Sequence, residues 1–185
     1  MKTRVIRPFL ALLAVTPFFL GAAGPLRAEP ILNTGCMIES SPFYDKLLRA
    51  GVFDVVMHPA PQPEAVQVLL MKAHLFRYSS EGRSQKERWQ SAEETARIFQ
   101  GDCADKAIWL YTHLRQNGYQ NVSLVIGRYS PSSKVLHMWV TYVEPSGTTL
   151  LLDPTMQRKP WKITDFSKRY YKPVYVLNGE NCEAY

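Results

Sequence analysis

The sequence predicts an α+β domain in which helices pack on an antiparallel β-sheet. Three observations carry this. Between residues 41 and 118 apolar side chains recur with a helical period. After Asn121 the period changes to two. The segments of period two are separated by the turn-rich links "SPSSK" and "EPSG". Helices first and a meander after them give an α+β order rather than the alternating order of a parallel sheet. The chain has 185 residues and shows no internal repeat, low-complexity tract or linker, so one domain is expected.

The first element is a leader. "MKTRVIRPFLALLAVTPFFLGAAGPLRAEP" has Lys2, Arg4 and Arg7, then an uncharged apolar run, then small residues. This is the layout of a secretory signal peptide, and cleavage after Ala28 leaves a domain over 29–185. The uncharged run from Pro8 to Leu26 is nearly long enough to span a bilayer, but Pro17 and the small residues at 21–24 favour cleavage over anchoring. The polar lead-in to Cys36 does not suit lipidation. The leader also accounts for the basic charge. Of 22 Lys and Arg, four (Lys2, Arg4, Arg7, Arg27) lie in 1–28 and no acid does, which leaves 18 against 16. The net +6 is therefore mostly export signal, and the electrostatic case for nucleic acid disappears. The expected setting is periplasmic or secreted, with no membrane association after cleavage. Composition does not address the oligomeric state.

Export bears on the cysteines, Cys36, Cys103 and Cys182. An odd count in an oxidising compartment leaves at least one thiol over. Cys36 and Cys182 lie near the two ends of the exported chain, and ends are often close together in a domain. Those two are expected to pair. Closing so long a loop contributes roughly 4–5 kcal/mol in the chain-entropy model. Cys103 is then left as either a shielded core thiol or a nucleophile. Count alone does not separate the two.

The remaining elements follow in order. "SPFYDKLLRAG" reads as a helix capped by Ser41, with Pro42 in its first position and Gly51 at its end. A second helix starts near Pro63 and runs through "VQVLLMKAHLFRYSS". Ser79 to Gln90 is polar and reads as a loop. Ser91 and Glu94 form a capping box for a third helix ending at Gly101. Asp102 caps the fourth, Cys103 to Asn117, whose Ala104, Ala107, Ile108, Tyr111 and Leu114 fall on one face, with Gly118 as C-terminal cap. "NVSLVIGRY", "KVLHMWVTYV", "TTLLLD" and "KPVYVL" read as strands.

Cys103 opens the fourth helix. There the macrodipole and unpaired N–H groups favour a thiolate, while Asp102 and Asp105 oppose one. A base is needed. His58, His74 and His113 have ordinary loop or helix surroundings. His137 differs, lying inside an apolar strand in "LHMWVTY", where its second ring nitrogen needs a partner. Asp153 ends the next strand, after three leucines and before Pro154, a poor place for an unpaired charge. Cys, His and Asp can serve as nucleophile, base and orienting carboxylate. His137 and Asp153 share a sheet face only if the strand connection has an odd length, such as Glu144 to Ser146, or carries a bulge. The register expected is one that sets His137 directly across from Asp153.

"GDCADKA", "HMWV" and "LLDPT", in this order, resemble the transglutaminase-like superfamily. The resemblance covers about Trp89 to Thr155, leaving Met37 to Arg88 and the tail outside it. It implies a papain-like arrangement with Cys103 as nucleophile, His137 as general base, Asp153 as orienting carboxylate and Trp139 beside them. The implied chemistry is acyl transfer on protein or peptide amides, resolved by water or by an amine. The oxyanion would be held by the Cys103 N–H and a second donor, with Trp89 and Gln90 as candidates. The short exported format also resembles periplasmic bacterial transglutaminase-like cysteine proteinases that trim surface adhesins. Some of these bind calcium through acids near the cysteine, a part Asp102 and Asp105 could play, although helix capping and a solvated face suit them better. No other cofactor is implied. Two competing readings are a non-catalytic binding or assembly domain that keeps the fold, and a metal site on Cys103, His137 and Asp153. The second lacks any established metal-ligand spacing.

Overall fold

The element order in the computed structural model is β1 (Cys36–Met37), α1 (Tyr44–Arg49), α2 (Val66–Leu75), β2 (Arg77–Tyr78), α3 (Ala92–Ile98), β3 (Gln100–Gly101), α4 (Cys103–Gln116), β4 (Val122–Arg128), β5 (His137–Val143), β6 (Thr149–Leu152), β7 (Trp161–Lys162), α5 (Asp165–Tyr170), β8 (Lys172–Asn178) and β9 (Asn181–Ala184). The structure describes residues 36–37, 42–55, 65–79, 88–179 and 181–185. The expected leader, the Ser41 cap, His58 and the Pro63 helix start lie outside them.

The architecture is α+β. Seven strands form a sheet in the order β1-β9-β8-β4-β5-β6-β7, antiparallel at every pairing. Alternation along the strands gives it two apolar faces. Leu124, Ile126, Met138, Val140, Leu150 and Leu152 face the main core with α4. Val125, Trp139 and Leu151 form a smaller cluster with Tyr171 on the other side. In β1 and β9, Cys36 pairs across the ladder with Cys182.

Several elements differ from the sequence expectation. The second helix stops at Leu75, and the third stops before Phe99, which adopts the left-handed conformation (φ 54°) and takes the Thr95 carbonyl. Ending α3 there frees Gln100–Gly101 to pair in parallel with Arg77–Tyr78. That short bridge fixes the approach of the chain to Cys103. The fourth helix has its predicted span but not its predicted single buried face. Every residue from Cys103 to Thr112 is buried, because α2, α3 and the sheet surround it. The Asp102 cap and Gly118 (φ 82°) are as the sequence suggests, and Asp105 completes a capping box.

Candidate active site

Cys103 stands at the first turn of α4. Asp102 precedes it as N-cap, and its Oδ1 accepts the N–H of Ala104 at 2.9 Å and of Asp105 at 3.2 Å. Asp105 returns the favour: its Oδ2 accepts the Asp102 N–H at 3.0 Å and its Oδ1 the Gln90 N–H at 2.9 Å. Two carboxylates thus hold four backbone N–H groups and tie the loop before α3 to the start of α4. Both are buried, Asp105 completely, so the expected solvated face is wrong and the capping role is right. Gly101 packs against Asp105, and a Cβ there would come within 2.6 Å of the Asp105 Cβ. The Cys103 N–H, first in the helix, lies outside this box.

His137 is the first residue of β5 rather than a mid-strand one. Its Nε2 lies 2.7 Å from Asp153 Oδ2. The connection between β5 and β6 runs from 144 to 148, an odd number of residues, so the two side chains share a face. The register is not the one expected. Val140 pairs with Leu152 and Val143 with Thr149, which sets Asp153 opposite the Trp139 position rather than opposite His137. The two meet diagonally, two residues apart on the same face, a separation that long side chains cross. With Nε2 engaged by Asp153, Nδ1 is the ring nitrogen left to face Cys103, which lines the same cleft and acts on the imidazole electrostatically. Burial pulls the His137 pKa down, but the hydrogen bonds and charges of Asp153 and Cys103 outweigh it and hold it at about 9. The ring is therefore an imidazolium at neutral pH.

Asp153 is fully buried and held on every side. Its Oδ1 accepts the N–H of Thr155 (2.9 Å) and Met156 (3.2 Å). Its Oδ2 accepts Tyr171 Oη at 2.9 Å beside His137. Burial and the Asp153 charge push the Tyr171 pKa far up, so it stays a phenol and a donor. Trp139 lies against Tyr171 edge-on at 5.1 Å and beside the His137 ring at 6.1 Å. Gly127 makes room for it: a Cβ there would meet the Trp139 ring at 2.5 Å and the Lys172 carbonyl at 2.2 Å.

Three supporting residues escaped the sequence reading. Tyr171 sits in a tail segment with no periodic signal pointing inward. Lys106, a buried cation in α4, donates Nζ to the carbonyls of His74 and Phe76 at 3.0 Å and so caps α2; burial lowers its pKa to about 8, with Asp153 opposing. His74, read from sequence as an ordinary helix histidine, lies 3.2 Å from the Pro154 carbonyl through Nδ1, while its Nε2 accepts from Arg158 Nε at 3.2 Å. It therefore donates from Nδ1, and burial lowers its pKa. A lysine or histidine in a helix carries no sequence mark of a contact 30 or 80 positions away.

Cys103 and His137 line one cleft of about 90 Å³ with Phe43, Trp89, Leu136 and Met138. Phe43 stacks on Trp89 at 5.7 Å, and Lys46 Nζ stands 5.5 Å from the Trp89 ring centre. Of the two candidate second donors, Trp89 reaches this cleft. Gln90 has its N–H on Asp105 and its Oε1 on Thr95 Oγ1.

The fold resembles that of Legionella pneumophila LapG. The calcium-bound LapG structure superposes with a TM-score of 0.53 and 23% identity over 78% of this chain and 80% of that one. The EGTA-treated form gives 0.53 and 22% over 78% of each. At this identity the likeness concerns the fold. No family model and no curated protein sequence matches the chain. The competing metal reading finds little support in the side chains. Among the described residues no group of three or more His, Cys, Asp or Glu is arranged to hold an ion.

Proposed function

We propose that the protein is an exported thiol-dependent acyl-transfer enzyme acting on protein or peptide amides, with hydrolysis as its principal outcome. The observation that carries this reading is the chain of contacts from Asp153 Oδ2 through the His137 ring to Cys103 at a helix start. In this proposal the Cys103 thiolate attacks the amide carbonyl carbon. The oxyanion takes the Cys103 N–H, which the capping box leaves out, and the Trp89 indole N–H as second donor. His137 Nδ1–H then protonates the leaving amine, the C–N bond breaks, and a thioester remains. Water, deprotonated by the now neutral His137, attacks the thioester and releases the acid, returning the proton to the imidazole. A primary amine in place of water would give transamidation. Asp153 keeps the ring oriented and charged.

The acidic pair beside Cys103 does not fit a calcium site well. Both carboxylates are buried, and Asp102 Oδ1 and the two Asp105 oxygens accept four backbone N–H groups, so a cation would compete with the helix cap for three of the four oxygens. They act here as a backbone clamp, and no step runs through a metal. Bonding of Cys36 to Cys182 is a further part of the proposal and rests on their facing positions in the ladder. Export rests on the leader; among the described residues no helix is long and apolar enough to cross a membrane.

One observation favours the non-catalytic reading: Cys103 is only 7% exposed. The two readings part on turnover. Peptide-library digestion by the wild type and by Cys103→Ala, with and without a primary amine, gives Cys103-dependent cleavage in this proposal. A wild type that binds peptides without any Cys103-dependent product supports the binding domain instead.

A further inference from the structure

The two faces of the sheet are covered unequally. The helix α4, with 14 residues, fills one of them. The six-residue α5 is the helix that lies by the other. Beside it a recess of about 450 Å³ remains, with Val125, Trp139, Leu151 and Val176 among its walls. That volume lies in the range of small-molecule sites and is several times that of the Cys103 cleft. Among the described side chains its charged lining is of one sign: Lys168 and Lys172 border it, and no described Asp or Glu does. Thr141, Thr149 and Ser167 are among its other polar lining residues. Apolar walls with a cationic border are complementary to a molecule having an apolar chain and an anionic head.

The recess also borders the candidate active site. Tyr171 forms part of its wall and donates Oη to Asp153 Oδ2, the oxygen that meets His137. Trp139, another wall, lies beside the His137 ring. An occupant therefore touches two side chains that hold the imidazole and its carboxylate.

We propose that this recess binds a single-chain fatty carboxylate, its chain against Trp139 and Leu151 and its head at Lys168 and Lys172, and that occupancy changes the reactivity of Cys103 through Tyr171. The coupling half rests on the proposed role of Cys103 and His137; the binding half does not.

The test uses purified protein and dodecanoate, kept below its micelle concentration, in a calorimetric titration. Saturable one-site binding is expected. Dodecanol, of equal chain length, and the Lys168→Glu/Lys172→Glu variant should each bind at least tenfold more weakly. Val176→Trp, which fills the recess, should abolish binding while keeping the melting transition. Iodoacetamide labelling of Cys103 should change at least threefold on saturation in the wild type and stay constant in Val176→Trp. Absence of saturable binding, or binding unchanged in Val176→Trp, overturns the site. Equal binding of acid and alcohol overturns the anionic head. Binding with an unchanged labelling rate overturns the coupling. A Cys103 that is inert with and without dodecanoate defeats the enzymatic reading and leaves the binding site standing.

Discussion

Two sets of buried carboxylates stand on either side of His137 and Cys103, and they differ in what they hold. Asp102 and Asp105 accept four backbone N–H groups and fix where α4 begins. Asp153 accepts two backbone N–H groups on one oxygen and two side chains, Tyr171 and His137, on the other. The first set positions a backbone. The second positions a ring and keeps it charged, raising its pKa to about 9. The difference teaches that a buried acid is read by its donors. A carboxylate facing amides organises the fold. One that faces a titrating ring sets that ring's charge.

The largest effect that separates them is expected from Asp153→Asn. Loss of a charge beside His137 lowers an imidazolium pKa by roughly 1–3 units. Starting from about 9, the largest such fall leaves roughly a tenth of the ring charged at pH 7, so the alkylation rate of Cys103 should fall by up to about tenfold. A rate within twofold of wild type would erase the distinction between the two sets. Asp105→Ala should act in the opposite sense. It orphans the N–H groups of Gln90 and Asp102 and should lower unfolding stability by about 2–4 kcal/mol in urea titration. The folded fraction should keep its Cys103 alkylation rate within about threefold.

The sequence showed the two sets unequally, and the reason is range. The Asp102 cap lies within one helix turn and was legible from its position, whereas the reach of Asp105 to the Gln90 N–H, 15 positions away, was not. For His137 and Asp153 the sequence supplied a condition, a shared face if the connection has odd length, and the five residues 144–148 meet it. The register itself was not legible. Which of two same-parity pairings forms depends on the turn at 144–148, where the Glu144 and Thr148 backbones pair and Gly147 takes φ 83°. Tyr171 and His74 reach the Asp153 loop, and Lys106 the end of α2, through tertiary packing, and nothing local in their segments points to these contacts. The even burial of α4 was hidden for a similar reason. A helix enclosed by other helices and a sheet can keep Lys106 and Thr112 inside when partners satisfy them, and these polar residues make its sequence look amphipathic.

A smaller effect concerns pH. The His137 pKa, raised from the ordinary 6.5 to about 9, is higher folded than unfolded. Its contribution to stability is therefore complete below pH 6.5 and is lost as pH rises through about 9. Melting temperatures of wild type and His137→Gln measured from pH 6 to 10 should converge toward the alkaline end. A gap that widens with pH would contradict the imidazolium. The smallest effect expected is from calcium. With Asp102 and Asp105 engaged by backbone N–H groups, millimolar calcium and EGTA should give the same Cys103 labelling rate and melting temperature. A calcium-dependent shift in either would show that the acidic pair does more than hold the helix start.

The most direct measurement is the iodoacetamide rate of Cys103 in wild type and in His137→Ala at pH 6 to 7, against free cysteine under the same conditions. A Cys103 paired with an imidazolium reacts faster than free cysteine there, and His137→Ala slows it at least tenfold. A folded protein whose Cys103 is inert, or whose rate is untouched by His137→Ala, contradicts the account.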